Sequence, residues 1–477
     1  MHARLLLLLA CLPAAALFAQ TGFAPQALSA GAFTVEDAGS GAYSHASPLL
    51  TAEQRELFAL GRRMFHNKWA FYWFENAEWG RGPTSNAQAC ASCHAHNGRG
   101  LAPGDVGQAG SAPGEPEAPR DSHIAVEAEP TVQLVVRLSL PGEDPHGGPR
   151  PHPDYGDQLQ NVGVRGVVPA EAEIAIDWVE KTVAFRDGEI VRLRQPRLRL
   201  SRLAFGPLGD ETLLSLRLAP PLIGLGLLEA VPEEDIERLA ARTPADGIRG
   251  RANRVWDASR QKTVLGRFGL KANHGSVREQ VAAAFLNDLG LSNPVYPDQN
   301  CPPVQKACRE QMVAGKPEIT ALRLAATELY VRALLVPARR NVDDPRVRRG
   351  EQLFEQARCA VCHVPELKTG AATGLPQLAH QTIRPYTDLL LHDMGEGLAD
   401  GRPDYLASGR EWRTAPLWGI GLSKTVNGAG AFLHDGRARD FTEAILWHGG
   451  EAEVSREAYR AMPKQEREAL TAFLASL

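Results

Sequence analysis

The sequence predicts a mainly α fold with a small β-rich insertion and long irregular loops. An internal repeat predicts two similar helices: a Gly-x-x-x-Phe segment at 61–65 recurs at 350–354. Residues four apart lie on one face of a helix, so the glycine and the phenylalanine of each segment would share a face. Alternating apolar and polar residues are confined to about 131–205, which favours strands there. The 45 glycines and 34 prolines favour irregular connections between these elements.

Four segments divide the 477-residue chain. The first unit begins with a helix predicted over 51–75, which Thr51 caps, and it contains the insertion. The second unit begins near Asp344 and ends in an apolar helix. The segments are 1–19 (export signal), 20–50 (flexible lead-in), 51–343 (first unit, with the insertion at 131–205) and 344–477 (second unit).

The N-terminal segment has the pattern of an export signal. Arg4 supplies the positive charge, Leu5–Leu9 begin the apolar stretch, and a small-residue cleavage point follows Ala16 or Ala19. This stretch is too short to span a bilayer stably. A rival interpretation is a lipoprotein signal acylated at Cys11, but the apolar run before that cysteine is short for one. The sequence therefore predicts export, with lipid anchoring as the less favoured alternative.

Composition bounds the function classes. The formal net charge of −4 gives no basic footprint for nucleic acid. Hydrophobic residues make up 44% and charged residues 23% of the chain, as in an ordinary globular protein. We therefore expect no nucleic-acid partner, and the sequence predicts no particular oligomeric state.

Six of the seven cysteines fall into three close pairs, Cys90/Cys93, Cys301/Cys308 and Cys359/Cys362. An exported chain meets an oxidising compartment, so each pair must form a disulfide or be consumed by other covalent chemistry. The pair at 301 and 308 predicts a local structural disulfide.

The other two pairs each read Cys-x-x-Cys-His, ending at His94 and His363. Two thiols at this spacing can add to the two vinyl groups of one haem, and the next histidine then supplies an imidazole to the iron. A thioredoxin-like redox pair or half of a zinc site would not require the histidine. The sequence therefore predicts two covalent c-type haems, with Cys90, Cys93, Cys359 and Cys362 as attachment points.

The repeated helix also predicts how each haem unit closes. In small c-type cytochromes a first helix with a Gly/aromatic face crosses a last helix, and the glycine permits close approach. Gly350 and Phe354 fit the first helix, and the apolar helix ending at Leu477 fits the last. The full prediction for the fold is thus two cytochrome c-like haem domains, mainly α, with the β-rich insertion.

The sixth iron ligand decides between an electron carrier and a catalyst. For the second haem, Met394 is the first candidate because it lies in a polar, Gly-rich loop, although methionine is usually core filler. His392 and His434 are its rivals. For the first haem the candidates are His66, His96 and His123, while Trp69, Tyr72 and Trp73 are candidate pocket walls.

Several segments, in chain order over roughly 50–477, resemble one family. They are Asn86–His94, Asn97–Gly100, Tyr155–Gln160, Leu218–Glu229, Gly266–Gly269, Tyr386–Gly395, Leu398–Gly401, Glu411–Gly419 and Phe432–Ala438. Together they closely resemble the di-haem oxidoreductases often labelled "thiol oxidoreductases", relatives of bacterial di-haem cytochrome c peroxidases and MauG-type enzymes.

The resemblance implies two cytochrome c-like haem domains that face each other, with His94 and His363 as proximal ligands. One haem would exchange electrons with a small partner protein, a cytochrome or a cupredoxin, and the other would be the reaction site. In the peroxidase relatives the N-terminal haem is the reactive one. The resemblance further implies a calcium ion between the haems, for which the sequence names no ligands.

This sequence departs from the family pattern at two positions. Leu270 stands where the family commonly has Trp, which removes an aromatic bridge between haems at that point. Leu433 stands where the peroxidase relatives often have Met, which favours Met394 as the ligand. The "thiol" label finds no support in these residues, because the three cysteine pairs leave no reactive thiol over.

We therefore expect a periplasmic di-haem oxidoreductase that is peroxidase-like and takes a small-molecule oxidant. The alternative is an electron-transfer cytochrome with both irons six-coordinate and no catalysis of its own. A purely structural role for the haems is disfavoured, because two haem sites are present.

Overall fold

The computed structural model describes residues 25–71, 78–103, 133–243, 247–311, 315–372, 374–428 and 430–477. The predicted export signal and Cys11 lie outside these residues. Residues 25–50, predicted as a flexible lead-in, instead pack into the protein: Phe33 and Tyr43 are buried in its first hydrophobic cluster. The prediction of flexibility rested on the Gly- and Ser-rich composition, whereas single apolar residues within this stretch hold it against the protein. No helix of the described residues has the length and apolar character needed to cross a membrane.

Helices begin and end close to several predicted positions. Thr51 caps the first helix, and its side chain and that of Gln54 form a reciprocal capping box. That helix ends at His66, earlier than predicted. The helices are α1 Ala52–His66, α2 Cys90–Cys93, α3 Leu225–Glu229, α4 Glu233–Ala240, α5 Val277–Leu289, α6 Lys306–Glu310, α7 Ala321–Arg332, α8 Pro345–Gln356, α9 Ser423–Asn427, α10 Phe441–Trp447, α11 Glu453–Ala461 and α12 Lys464–Ser476.

In the described residues, strands occur between Thr34 and Arg413. They are β1 Thr34–Val35, β2 Trp69–Ala70, β3 Glu78–Trp79, β4 Thr84–Ser85, β5 Leu134–Glu143, β6 Pro149–Arg150, β7 Val162–Gly163, β8 Glu173–Ala184, β9 Ile190–Ser201, β10 Leu213–Leu218, β11 Arg254–Asp257, β12 Lys262–Leu265, β13 Val336–Pro337, β14 Leu367–Lys368, β15 Thr382–Ile383, β16 Leu391–Asp393 and β17 Glu411–Arg413.

The predicted fold class, mainly α with two cytochrome c-like haem domains, is wrong. Helices make up 31% and strands 21% of the structure, and the strands form many small sheets. These sheets have two or three strands each. Several pair only two residues, as β1 does with β13 and β4 with β7. A two-residue strand is too short to show an alternating pattern in the sequence, so such segments read as loops.

Strands β5 to β9 lie between residues 134 and 201, within the range predicted for the β-rich insertion. Strands β8 and β9 form a long antiparallel hairpin in which Glu173 pairs with Ser201 and Ala184 with Ile190. The turn contains Asp187 and Gly188, and Gly188 has a φ of +88° that suits glycine. Beside it, β10, β5 and β6 form a three-stranded sheet.

Two helix crossings organise the remainder. In the first, α1 packs on α7, and a Cβ added at Gly61 would lie 2.0 Å from the carbonyl oxygen of Ala326. In the second, α8 packs on α12, and a Cβ at Gly350 would lie 2.0 Å from the carbonyl oxygen of Ala469. Each glycine therefore permits backbone contact between two helices. The close approach predicted for the second pair is confirmed, and the first pair repeats it.

Candidate functional site

The first Cys-x-x-Cys-His segment is the short helix α2 and the residue that follows it. Nδ1 of His94 donates a hydrogen bond to the carbonyl oxygen of Pro220 at 2.8 Å. A carbonyl can only accept, so Nδ1 carries the proton and Nε2 carries the lone pair. Burial lowers the pKa of His94 to about 4, which keeps the ring neutral near pH 7. The ring lies 6.2 Å from that of Phe65, on the face of α1 that also carries Gly61.

The second segment repeats this arrangement. Nδ1 of His363 donates to the carbonyl oxygen of Tyr386 at 2.9 Å, and burial lowers the pKa of His363 to about 4. The ring lies 6.3 Å from that of Phe354, four residues after Gly350 on α8. Both histidines are therefore neutral imidazoles held by one nitrogen, and the other nitrogen is chemically suited to bind a metal.

The thiols of Cys90 and Cys359 are unsuited to redox exchange. Burial raises the pKa of Cys90 and of Cys359 to about 12, so both are protonated near neutral pH. Reactive redox thiols have lowered pKa values instead. The predicted disulfide is confirmed, since Cys301 and Cys308 are joined with an S–S distance of 2.01 Å.

A mostly apolar cavity borders His363. Its volume is about 220 Å³. The walls near the histidine include Phe354, Cys359, Cys362, Trp412, Trp418, Phe432, Phe441, Ile445, Leu470 and Leu474. Apolar walls, two thiols at one edge and a neutral imidazole are the donor set and surroundings that a thioether-bound porphyrin requires. These residues fit a c-type haem.

The three predicted candidates for the sixth ligand, Met394, His392 and His434, also line this cavity. The structure therefore brings each of them to the same space as His363. Met394 packs against the second hydrophobic cluster, which includes residues of α8 and α12. The contacts of Met394 do not show whether it would bind iron or only line the cavity, so its role as the sixth ligand stays a prediction.

His392 is held at both ring nitrogens. Nε2 lies 2.9 Å from Asp388 and Nδ1 lies 2.7 Å from Glu451. Burial lowers the pKa of His392, but hydrogen bonds with Asp388, Cys362 and Glu451 outweigh burial and raise it. An imidazolium that donates from both nitrogens has no lone pair for iron. His392 is therefore better described as a charged support beside Cys362.

His434 is stacked on an indole. Its ring lies 3.7 Å from that of Trp412 with an interplanar angle of 9°, and Nε2 lies 3.3 Å from Asp435. The ammonium of buried Lys271 also lies 4.5 Å from the centre of this indole ring. The sequence did not predict this stack, because Lys271, Trp412 and His434 are far apart along the chain.

His448 is a further cavity-lining histidine that the sequence analysis did not single out. It follows α10, and Nδ1 donates to the carbonyl oxygen of Ala444 at 2.7 Å. A signal for it exists: Phe441, Ala444, Ile445 and His448 follow the i, i+3, i+4, i+7 pattern of one helix face.

Two of the candidates for the first haem's sixth ligand, His66 and His96, lie among the described residues. Nε2 of His66 lies 3.1 Å from the hydroxyl of Tyr330, and His96 has a left-handed φ of 52° in the turn after His94. Trp69 is buried in the first hydrophobic cluster. His123, Tyr72 and Trp73 lie outside the described residues. The sixth ligand of the first haem therefore stays open.

One loop joins the two segments. Arg99, five residues after His94, donates from Nε to the carbonyl oxygen of Ala431 and from Nη2 to that of Leu433, both at 2.6 Å. The backbone N–H of Leu218 donates to the carbonyl oxygen of His434 at 2.7 Å. Arg99 also lines the cavity beside His363. The loop at 431–434 thus connects the surroundings of the two histidines directly.

Position 270 lacks the Trp that the family commonly has, but another aromatic residue lies close to it. Leu270 lines the cavity, and its carbonyl oxygen accepts a hydrogen bond from the backbone N–H of Arg413 at 2.9 Å. The neighbouring Trp412 faces the same cavity. An aromatic ring is therefore present at this wall although position 270 lacks one.

For the implied calcium ion, the described residues contain no cluster of three or more His, Cys, Asp or Glu side chains that could hold a metal. The structure thus adds no ligand for it.

Comparison with known proteins gives one match. The family model described as "Di-haem oxidoreductase, putative peroxidase" matches residues 24–477. Neither the curated proteins nor the solved structures gave a match. The family match covers nearly the whole chain, in agreement with the resemblance of the separate segments. The chain belongs to the di-haem oxidoreductase family.

Proposed function

We propose that this chain holds two haems covalently, through thioethers at Cys90 and Cys93 and at Cys359 and Cys362. His94 and His363 would each supply an imidazole nitrogen to a haem iron. One observation carries the proposal: next to each cysteine pair stands a neutral histidine whose Nδ1 is bound to a backbone carbonyl, which leaves Nε2 for iron. When bound, haem supplies one-electron redox chemistry that no side chain here provides.

The protein's own contribution is orientation and exclusion of water. The carbonyl oxygens of Pro220 and Tyr386 fix the tautomer and the rotation of the two imidazoles. Phe65 and Phe354 pack beside those rings from helices that the two glycine crossings hold in place. The apolar walls beside His363 keep the local dielectric low, which is one of the means by which a protein tunes a redox centre.

We further propose a peroxidase-like oxidoreductase that passes electrons from a small cytochrome or cupredoxin to a small oxidant. For hydrogen peroxide, two electrons from the partner and two protons from solvent convert one molecule to two waters. The family description supports the peroxidase class. The relatives favour the first haem as the reaction site, with the second as the electron relay.

The proposed location is the periplasm. The charged residue Arg4 and the apolar run Leu5–Leu9 support export, and thioether haem attachment suits the same compartment. Acylation at Cys11 is the competing anchor. A calcium ion between the haems, proposed only from the resemblance, predicts a spectral change on chelation that added calcium reverses.

Attachment is tested by removing each cysteine pair in the full chain, produced in cells that mature c-type cytochromes. The Cys90→Ala/Cys93→Ala and Cys359→Ala/Cys362→Ala variants should each retain half of the wild-type haem after denaturation, measured as the reduced pyridine complex. Cys301→Ser/Cys308→Ser is the matched control and should retain all of it. Full haem content in either of the first two variants would refute the assignment.

Catalysis is separated from simple electron transfer by ligand exchange. The alternative is a cytochrome with both irons six-coordinate, which predicts no binding of cyanide in any redox state and no peroxide turnover. The peroxidase-like proposal predicts that one haem per chain binds cyanide and that peroxide is consumed with a reduced donor. EPR and stopped-flow absorption would distinguish the two.

A further inference from the structure

We propose that His448 is the sixth iron ligand at the second site, so that the iron there is closed by two imidazoles, those of His363 and His448. The inference rests on the proposed function, because it needs a haem held by Cys359 and Cys362. It assigns a ligand that the family match does not specify, and it differs from the sequence prediction of Met394.

The position of the proton on His448 is the first argument. Nδ1 lies 2.7 Å from the carbonyl oxygen of Ala444, so that nitrogen is the donor. Nε2 then carries the lone pair, and in the described part of the chain it has no hydrogen-bond partner. His94 and His363 show the same arrangement, a backbone carbonyl on Nδ1. Metal-bound histidines in proteins are commonly oriented in this way.

The placement of the ring is the second argument. His448 lines the cavity that His363 also lines. The preceding residues on the same face of α10, Phe441, Ala444 and Ile445, line it as well. Nε2 of His448 would therefore be available to an iron held at this cavity.

The two rival histidines are engaged elsewhere. His392 is bound at both ring nitrogens by Asp388 and Glu451. His434 is stacked on Trp412, and its Nε2 pairs with Asp435. Met394 is partly buried against the second hydrophobic cluster, and the variants below decide between it and His448.

The backbone around His448 is firmly held, as a ligand position requires. The segment 448–450 packs against 393–395, and a Cβ at Gly450 would lie 2.4 Å from the carbonyl oxygen of Asp393. The Arg456 guanidinium donates to the carbonyl oxygen of His448 at 3.1 Å. Glycines at 449 and 450 thus permit a contact that fixes the end of α10 beside the cavity.

A second imidazole has a functional consequence. Methionine ligation raises the reduction potential of a haem, so ligation by two histidines predicts a lower potential for the second site. The iron would also be closed to small oxidants. The second haem would then relay electrons, and the reaction would be confined to the first site.

The test uses the full haem-loaded chain and near-infrared magnetic circular dichroism, which distinguishes His/His from His/Met ligation. In wild type we expect a His/His band. His448→Ala should remove the His/His signal of one haem and create one additional cyanide-binding site per chain. His448→Met should replace that signal with a His/Met band and raise the potential of that haem. Met394→Leu and His434→Ala are matched controls at the same cavity and should leave the His/His signal intact.

Opposite results would overturn the inference. These are an unchanged spectrum in His448→Ala, or a wild-type His/Met band that Met394→Leu removes. Should His448→Ala not fold, the wild-type spectrum and His448→Met still decide the question. A chain without any covalent haem would instead refute the proposed function, so the two failures are distinguishable by haem content.

Discussion

The two Cys-x-x-Cys-His segments have the same proximal half and different surroundings. In both, a glycine crossing places an aromatic ring beside a histidine whose Nδ1 is bound to a backbone carbonyl. Behind the first segment lies a network of buried amides and carboxyls. Beside the second lie an apolar cavity and a charged histidine held by two carboxylates. The repeat therefore sets the proximal half, and segments outside the repeat set the environment of each site.

The amide network centres on Gln158. Its Nε2 donates to Oδ1 of Asn86 at 2.7 Å, to the carbonyl oxygen of Asn287 at 2.9 Å and to Oδ1 of Asp288 at 2.8 Å. The carbonyl oxygen of Asp288 in turn accepts from the backbone N–H groups of Asn86 and Ala87. Through these bonds the residues that lead into Cys90 are tied to the end of α5.

The largest expected effect comes from placing a larger side chain at one of the two helix crossings. Gly61→Val and Gly350→Val would each place a Cβ about 2.0 Å from a backbone oxygen, so each should destabilise its own unit by about 3 kcal/mol or more. Urea unfolding followed by circular dichroism measures this. Gly41→Ala is the control, because its Cβ would meet its nearest atom, on Asp37, at 3.5 Å. An unchanged midpoint for either valine variant would contradict the shared architecture.

The amide network should matter next. Gln158→Leu conserves most of the volume but leaves the buried Asn86 and Asp288 acceptors without a donor, which should lower the free energy of unfolding by about 3 kcal/mol. Gln352→Leu, at an exposed position on α8, should change it by less than about 0.5 kcal/mol. Equal effects of the two substitutions would show that the network does not support the first site.

The same network predicts a pH dependence. Burial raises the pKa of Glu171 to about 7 from 4.5, although Gln305 and the backbone of Gln160 donate to it. The folded state therefore holds this proton more tightly than the unfolded state. The resulting stability is fully present below about pH 4.5 and is lost as the pH rises through about 7.

Glu171→Gln should flatten this dependence. We expect the loss between pH 4.5 and 7.5 to shrink by about 1–3 kcal/mol in urea unfolding. Glu211→Gln, at an exposed position, is the control and should follow the wild-type curve. A variant at 171 that retains the full wild-type slope would show that this carboxyl is not the source.

The smallest effect is expected at the cavity of the second site. Met394→Leu conserves volume and should cost less than about 1.5 kcal/mol. If this methionine is wall rather than ligand, the visible spectrum should not change either. A large loss of stability together with a changed spectrum would mean that the methionine binds the iron.

How far the sequence could predict the structure follows from the distance between the residues involved. The cysteine pairs, their histidines, the disulfide and the glycine crossing of α8 are set by residues close in sequence or by a repeat. The two-residue strands are not set by residues close in sequence. Strand β1, for example, forms only by pairing with β13, about 300 positions away. His448 was missed for a similar reason: its chemistry depends on the cavity that α8 and α12 complete.

The most direct test of the central claim is a count of covalent haems on the wild-type chain. The full-length protein, produced with the c-type maturation machinery and then denatured, should show by intact mass the polypeptide plus two haems. The absorption of its reduced pyridine complex should correspond to two thioether-bound haems per chain. A mass equal to the polypeptide alone, or to one haem only, would contradict the account.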